Sequence, residues 1–279
     1  MRDTTLTAPR ASAELLVASL FCLTGAPAAA TPSAGDAPDA GAWPLVELRR
    51  YTLQPGRRDE LIELFEREFL ETQEAAGMQV LLHAREPAAP DRFVWFRGFR
   101  DLASRAPALG AFYDGPAWRA HREAANATMV DSDDVLLLRE ARPGSGFALP
   151  ARRPAPGAAP GRAIVDVAIH HFARAVDGEL IAFFAAEVEP IARRCGARVL
   201  ASYASDPGPN GFPRLPVREG EHVFVHAFGY ADESAQARAR AAFERSARWR
   251  ELTVELARRT VAPTERHRLV PGARSLVRG

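Results

Sequence analysis

The sequence lacks the residues that most directly mark a metal, redox or polyanion-binding protein. It contains no lysine, so every basic residue is arginine, which we attribute to genomic base composition rather than to a demand for guanidinium groups. Only Cys22 and Cys195 are present, which excludes a disulfide framework and a cysteine-based metal site. The formal net charge of +1 gives no overall attraction for nucleic acid or an anionic membrane.

Sequence motifs for the common cofactors are also missing. There is no P-loop, Rossmann glycine fingerprint or nucleophile elbow, and no HExxH or His-x-His spacing for a metal. Many arginines occur at 238–259, but glutamates are interleaved with them, as is typical of a solvated helix face. We therefore predict no cofactor, no metal and no nucleic-acid partner.

The first 42 residues differ in composition from the rest of the chain. An apolar run at 15–23 is followed by Ala28 and Ala30, in the small-residue pattern of a signal cleavage site. We interpret 1–42 as a signal-like leader and disordered tether, which predicts an exported, periplasmic protein. The alternative is a cytoplasmic protein with a misassigned start codon. The run is too short to span a bilayer, so no integral membrane segment is expected in the mature chain.

Two parts of the chain follow the same pattern. Residues 46–77 align with 165–196 at an offset of 119, and residues 93–118 align with 224–249 at an offset of 131. The twelve extra residues fall in the Pro- and Gly-rich loop 206–220. Each part predicts strands and helices in the order βαββαβ, so we infer a duplicated unit. The predicted organisation is a leader (1–42), a first domain (43–141), a Pro/Gly/Ala linker (142–162) and a second, divergent domain (163–279).

A βαββαβ unit predicts an α+β, ferredoxin-like sandwich with both helices on one face of a four-stranded sheet. The other face of the sheet is bare and has to be covered. We expect the two tandem units to cover each other, sheet against sheet, within one chain or between the chains of a homodimer. A cavity between the two sheets would then be a ligand site.

Strand alternation selects the candidate site residues. In the first strand of each unit, the apolar rows beginning at Val46 and Val165 are expected to meet the helices. The polar rows would then face the opposite sheet. Together with the third strand, these rows nominate two groups of ligand-binding candidates: Glu47, Arg49, Tyr51 and Trp95 in the first unit, and Asp166, His170 and His226 in the second.

Each group has a functional and a structural interpretation. Aromatic rings with an arginine and a carboxylate suit a flat or anionic organic molecule, and His170 beside His226 suits a general base. The structural alternative is that Glu47 and Arg49 form an ion pair sealing the interface, with the histidines as hydrogen-bonded interior residues. The sequence leaves both interpretations open and identifies no catalytic residue.

Several motifs resemble those of a known family. VELRRYTLQPGRRDEL (46–61) resembles the opening strand and turn of NIPSNAP-family domains, and FVWFRGF, FYDGPAW and AANATMVDSDDVLLLR resemble the bacterial members in particular. The resemblance is close over 45–140 and looser over 163–271, where His170 stands in place of Tyr51. It implies the dimeric α/β-barrel fold, which small cofactor-free oxygenases and haem-degrading enzymes share. The family offers no agreed catalytic residues to transfer.

Two classes of function follow. The first is a small-molecule site, in an oxygenase, an isomerase or a ligand carrier, formed around Trp95 and His226. The second is a non-catalytic interaction or scaffold module, for which the Pro-rich loop 206–220 is the candidate partner-binding element.

Overall fold

Alternating apolar residues form nine strands in the computed structural model, which describes residues 43–279. The leader predicted at 1–42 lies outside the described residues. Glycines end two of the helices that connect the strands, and Gly77 and Gly196 both adopt positive φ, as expected for helix-terminating glycines. The strands are β1 (Leu45–Leu53), β2 (Gln79–Arg85), β3 (Arg92–Phe99), β4 (Met129–Asp131), β5 (Val135–Glu140), β6 (Ile164–His171), β7 (Arg198–Ser205), β8 (Val223–Tyr230) and β9 (Glu265–Pro271).

Polar residues cap the first turn of several helices. Asp101, Asp232 and Ser246 each accept a hydrogen bond from a backbone N–H of the following turn. Two π-helical turns, Phe65–Phe69 and Phe184–Val188, interrupt the first helical region of each part of the chain. The α-helices are α1 (Arg58–Leu64), α2 (Leu70–Ala75), α3 (Leu102–Tyr113), α4 (Pro116–Asn126), α5 (Gly178–Phe183), α6 (Glu189–Arg194), α7 (Glu233–Arg245) and α8 (Ala247–Arg259).

The strands form a closed antiparallel barrel of eight strands within one chain. Around the barrel the order is β1–β3–β2–β9–β6–β8–β7–β5, and β5 returns to pair with β1; the short β4 extends β1 at its edge. The pairs β2–β9 and β5–β7 join residues 43–141, the first half, to residues 163–279, the second half. A second copy of the chain is therefore not needed to close the barrel.

The barrel interior is a packed apolar core to which all eight strands contribute. Val46 and Leu48 of β1 lie there with Val165, Val167 and Ile169 of β6, and all five are essentially inaccessible to solvent. The expectation that these rows meet the helices, leaving a polar cavity between the sheets, is wrong. Closing the sheet into a barrel buries both of its faces, and only the uniformly apolar rows can fill a dry interior without unpaired polar groups.

Polar and aromatic groups close the barrel interior. Arg50, which follows Leu48 on the same row, makes ion pairs with Asp134 and Glu265. Residues 142–162 contain no helix or strand, and Phe147 in this segment packs against the interior ring of Phe96, at a centroid distance of 5.3 Å. The predicted linker therefore contributes to the core. No helix within 43–279 is long and apolar enough to cross a lipid bilayer.

Candidate functional site

The predicted site residues lie on the outer face of the barrel, beneath the helices. They form two separate groups, one in each half, as the sequence predicts. β1 pairs with β3 so that Glu47 is opposite Arg97 and Arg49 is opposite Trp95. β6 pairs with β8 in the same register, so that Asp166 is opposite Phe228 and Ala168 is opposite His226. The same strand positions thus carry different chemistry in the two halves.

In the first half, one carboxylate holds three arginines. Glu47 accepts hydrogen bonds from Arg49 at 2.8 Å, from Arg97 at 2.6 Å and from Arg105 at 2.7 Å, and the solvent-exposed fraction of each of these four residues is 1% or less. We call these four residues the arginine cluster. Burial by itself would raise the pKa of the Glu47 carboxyl, but the guanidinium groups of Arg97, Arg49 and Arg105 hold it well below its usual range.

The arginine cluster extends what the sequence indicates. The ion pair between Glu47 and Arg49 is present, as the structural interpretation expects, but it is part of a larger network. Arg97 also donates to Gln73, and Arg105 reaches the cluster from α3. Sequence reasoning missed Arg105, because a single arginine on an amphipathic helix gives no signal of the carboxylate that it approaches in the fold.

Beside the arginine cluster is a small aromatic pocket, which we call the first pocket. It has a volume of about 90 Å³ and is lined by Tyr51, Phe65, Phe93, Trp95, Tyr113 and Trp118 among others. Arg49 donates from Nε to the Tyr51 hydroxyl at 3.0 Å, and burial raises the pKa of Tyr51, so the hydroxyl keeps its proton. The Trp95 indole N–H is buried and has no hydrogen-bond partner in the described part of the chain.

Loop 206–220, which contains the twelve extra residues of the second half, covers the first pocket. Leu215 forms part of the pocket wall. The Asn210 side chain accepts a hydrogen bond from Arg105 at 3.0 Å, and Arg214 pairs with Asp114 at 2.9 Å. Phe212 packs against Tyr113 with a centroid distance of 6.3 Å. The insertion is therefore held against the first half by polar and aromatic contacts, and we call it the covering loop.

The second half has a much larger pocket between β6, β8, β9 and the helices α7 and α8. This second pocket has a volume of about 720 Å³, which lies within the usual range for small-molecule sites. Its walls include the aromatic residues Phe228, Tyr230, Phe243 and Trp249, and its polar groups include Asp166 and His226. Trp249 packs on Phe243 with a centroid distance of 4.2 Å, so these rings form one continuous aromatic wall.

A chain of hydrogen bonds leads away from the second pocket through two histidines. His226, which lines the pocket, has its Nδ1 atom 3.3 Å from Nε2 of His170, and Nδ1 of His170 is 3.0 Å from the Thr264 hydroxyl. Burial lowers the pKa of His170 to about 3 and lowers that of His226 well below its usual range. Both imidazoles are therefore neutral near pH 7.

The neutral histidines can be protonated in two arrangements. In one, Nδ1 of His226 donates to His170 and His170 donates to Thr264, which leaves a free lone pair on Nε2 of His226. In the other, the donors and acceptors are exchanged, and Nε2 of His226 carries the proton. Changing between them moves a proton along the chain. The arrangement can thus accept a proton from a bound molecule or return one.

Charged groups surround the mouth of the second pocket. Arg240, Arg250 and Arg266 line it and are exposed, and no ion pair within residues 43–279 occupies their guanidinium groups. Asp166 accepts a hydrogen bond from Gln236 at 2.7 Å, and burial raises the pKa of its carboxyl. Three unpaired guanidinium groups at the mouth favour a ligand that is, or becomes, an anion.

The chain contains no assembled metal site in the part described. Among residues 43–279, no three His, Cys, Asp or Glu side chains come together in a way that could hold a metal ion. His170 and His171 point to opposite sides of β6, and His171 pairs instead with Glu265 at 2.7 Å. The arrangement of the second pocket supports acid–base chemistry by side chains.

Comparison with known proteins identifies the family of the first half and the fold of the whole. The NIPSNAP family model matches residues 46–142, and no curated protein matches the chain. A candidate monooxygenase from Lactobacillus acidophilus is 15% identical, with a TM-score of 0.50, covering 82% of this chain and 94% of its own. An anthrone oxidase-like protein is 14% identical, with a TM-score of 0.53, covering 83% of this chain and 92% of its own. At these identities the similarity establishes the α/β-barrel fold.

Proposed function

The chain carries a NIPSNAP-family domain at residues 46–142, and from this premise we propose that the protein binds a small organic molecule and removes a proton from it. The working site is the second pocket, outside the barrel rather than between its sheets. The observation that carries the proposal is the hydrogen-bonded chain from Thr264 through His170 to His226, which ends in a pocket of about 720 Å³. Residues 43–141 support the barrel and hold the much smaller first pocket.

The walls of the second pocket define the class of ligand. Phe228, Phe243 and Trp249 offer flat apolar surface for a ring system, and aromatic contacts of this kind favour planar molecules. The exposed arginines at the mouth favour negative charge that develops in the reaction. A flat polycyclic ketone or phenol that ionises to a delocalised anion meets both conditions.

The names of the fold neighbours agree with this class. One is described as anthrone oxidase-like, and anthrone is a flat tricyclic ketone with an acidic CH₂ group. Loss of a proton from such a carbon is the first step shared by isomerisation and by oxygenation without a cofactor. The shared fold makes this analogy available, and the geometry around His226 gives it a residue that can act.

His226 is the proposed general base. Its free Nε2 lone pair accepts the ligand proton, and His170 accepts the Nδ1 proton of His226 in turn. His170 then donates its Nδ1 proton to the partly exposed Thr264 hydroxyl, which releases its own proton to solvent, so the proton leaves the pocket and both histidines stay neutral. Arg266, on β9 opposite Ala168 of β6, lines the same pocket and stabilises the resulting anion by its charge.

Hydrogen–deuterium exchange at the ligand tests the proposal directly. We expect the wild-type protein to accelerate exchange of the CH₂ protons of anthrone in D₂O buffer under argon, followed by NMR. His226→Phe should reduce the enzymatic rate about 100-fold or more, the usual contribution of a positioned base. His121→Gln, in α4 of the first half, is a matched histidine control and should exchange at the wild-type rate. Equal rates with and without protein would reject the proposal.

The finer architecture belongs to the same proposal. We infer that 43–141 and 163–279 are tandem ferredoxin-like units joined through 142–162, because in each half the strands lie in the order fourth, first, third and second. Duplication explains why two pockets of equivalent position and different content occur in one chain. The unit that carries the NIPSNAP match would have the small first pocket, and the divergent unit the larger second pocket.

The scaffold alternative loses its main support. It relied on loop 206–220 as a free partner-binding element, whereas Asn210, Phe212 and Arg214 attach this loop to the first half. Export also remains a proposal, since it depends on the leader alone.

A further inference from the structure

The arginine cluster in the first half has more positive than negative charge. Arg49, Arg97 and Arg105 all pair with Glu47, and no other carboxylate in the described part of the chain contacts them. Neutral acceptors take the remaining hydrogen bonds, at Tyr51, Gln73, Asn210 and the Ser132 carbonyl. Two guanidinium charges buried without a counter-charge are unfavourable, and an anion placed nearby would offset them.

The first pocket, which adjoins the arginine cluster, contains two donors suited to such an anion. The Trp95 indole N–H is buried without a partner, in a residue that is 2% exposed. The Tyr51 hydroxyl already accepts a hydrogen bond from Arg49, so its own proton is free to be donated. Both residues line the pocket, and their rings are 5.8 Å apart at nearly 90°. An oxygen atom within reach of both would satisfy the two donors.

The remaining wall of the first pocket is aromatic. Phe65, Phe93 and Trp118 contribute ring faces and edges, which pack well against one further ring. A volume of about 90 Å³ is too small for the polycyclic ligand proposed for the second pocket. The shape and the chemistry together favour a single aromatic ring.

We propose that the first pocket is a separate binding site for a single aromatic ring that bears an anionic oxygen, a benzoate-like carboxylate or a phenolate. The ring stacks among Phe65, Phe93 and Trp118, and the oxygen accepts from Trp95 and Tyr51. The arginine cluster behind Tyr51 supplies the positive field. The guanidinium groups themselves do not line the pocket. Arg49 therefore acts on the ligand through the Tyr51 hydroxyl, which its hydrogen bond polarises.

The covering loop controls access to this site. Leu215 closes the pocket from above, and Asn210 links the loop to Arg105 of the arginine cluster. Arg214 and Asp114 are both more than half exposed, so their ion pair is a weak latch that can open without disturbing the core. The second half thereby governs ligand access to a pocket in the first.

The test measures ligand binding at the first pocket in a variant whose second pocket no longer attracts anions. In an Arg240→Glu/Arg266→Glu background, both changed residues are exposed at the mouth of the second pocket, so its attraction for anions is removed without disturbing the core. Binding of 4-fluorobenzoate is followed by ¹⁹F NMR. We expect saturable binding in this background, and at least ten-fold weaker binding after Trp95→Phe is added. Cyclohexanemethanol, which has neither the charge nor the aromatic ring, should not displace 4-fluorobenzoate from the protein.

Folding and binding effects are separable at Trp95. Because the indole N–H has no partner in the unliganded protein, its removal offsets part of the cost of the cavity that Trp95→Phe leaves, so the variant should stay folded with a modest fall in melting temperature. Arg214→Ala should speed association by roughly two- to five-fold, the range expected for loss of one exposed ion pair. The proposal is overturned if 4-fluorobenzoate does not bind in the double-glutamate background, or if Trp95→Phe binds it as tightly as the parent. Neither result depends on whether the second pocket abstracts protons.

Discussion

The two halves of the molecule place different residues at the same positions of the same sheet. Where the first half has Arg49 and Arg97, the second has Ala168 and Phe228. The arginines with Glu47 fill the space under the helices and leave about 90 Å³, whereas the smaller and apolar side chains leave about 720 Å³. The comparison teaches that a few side chains, with the same backbone register, decide whether the sheet-helix interface is filled or open.

The most damaging single change should be at Glu47. Glu47→Gln leaves three buried arginines without a carboxylate, and we expect the free energy of unfolding to fall by about 3–5 kcal/mol. Asp166→Asn is the matched change in the second half and should cost about 1 kcal/mol or less, because an amide oxygen can still accept from Gln236. Urea unfolding of both variants measures the difference. Equal losses would mean that the two positions have the same role.

Acid should destabilise the second half through its histidines. The pKa values of His170 and His226 in the folded state lie below the ordinary value of 6.5, so the unfolded state binds more protons as the pH falls. Their stabilising contribution is present above pH 6.5 and is lost as the pH falls below that value, toward about pH 3 for His170. Each histidine should lower the unfolding free energy by up to about 1.4 kcal/mol per pH unit in this window.

Residues of the first half provide the variant that checks this slope. His170→Tyr combined with His226→Trp places the counterparts Tyr51 and Trp95 in the second half. The pH dependence of urea unfolding below pH 6.5 should then become flatter. His222→Gln changes a histidine outside the second pocket and should retain the wild-type slope. An unchanged slope in the double variant would assign the acid sensitivity to other groups.

Filling the second pocket should remove ligand binding at a smaller energetic cost. Ala168→Arg introduces the guanidinium that Arg49 provides in the first half, next to Asp166 and His226. We expect affinity for anthrone, measured under argon by quenching of tryptophan fluorescence, to fall at least ten-fold, about 1.4 kcal/mol. Ala168→Ser adds one polar atom and little volume, and its affinity should stay within about three-fold of wild type. Full affinity in Ala168→Arg would locate the ligand elsewhere.

The smallest effect is expected at Cys195, which follows α6 at the position of Ala76 in the first half. Cys195 is partly buried, burial raises its pKa, and it makes no disulfide. Cys195→Ala should change the free energy of unfolding by no more than about 0.5 kcal/mol. A larger loss in urea unfolding would reveal a packing role for the thiol that Ala76 does not require.

Much of the fold can be predicted from local pattern. Strands such as Arg92–Phe99 follow from alternation between turns, and Gly77 and Gly196 mark helix ends at the expected places. The grouping of Glu47, Arg49, Tyr51 and Trp95 follows from the adjacency of the first and third strands. These features depend on neighbours in sequence or on one strand pairing, and the sequence pattern indicates both.

Which face of each strand points into the barrel could not be predicted in the same way. Alternation divides β1 into two rows but does not say which row faces a barrel interior, since closure buries both. The π-helical turns were also missed, although Phe65 and Phe184 reach Trp95 and His226 from them, at 5.0 and 4.9 Å. Arg105 and the covering loop were missed as parts of the first site because they are distant in sequence. Each of these depends on tertiary closure.

Nitrogen-15 NMR of the histidine side chains during titration with anthrone under argon tests the central claim, that the second pocket, in the second half, is the reactive site. The account predicts that the signals of His226 and His170 shift together and that Nε2 of His226 gains a proton as the ligand binds. It would be contradicted if these signals stayed fixed while the ligand bound, or if only histidines of the first half responded.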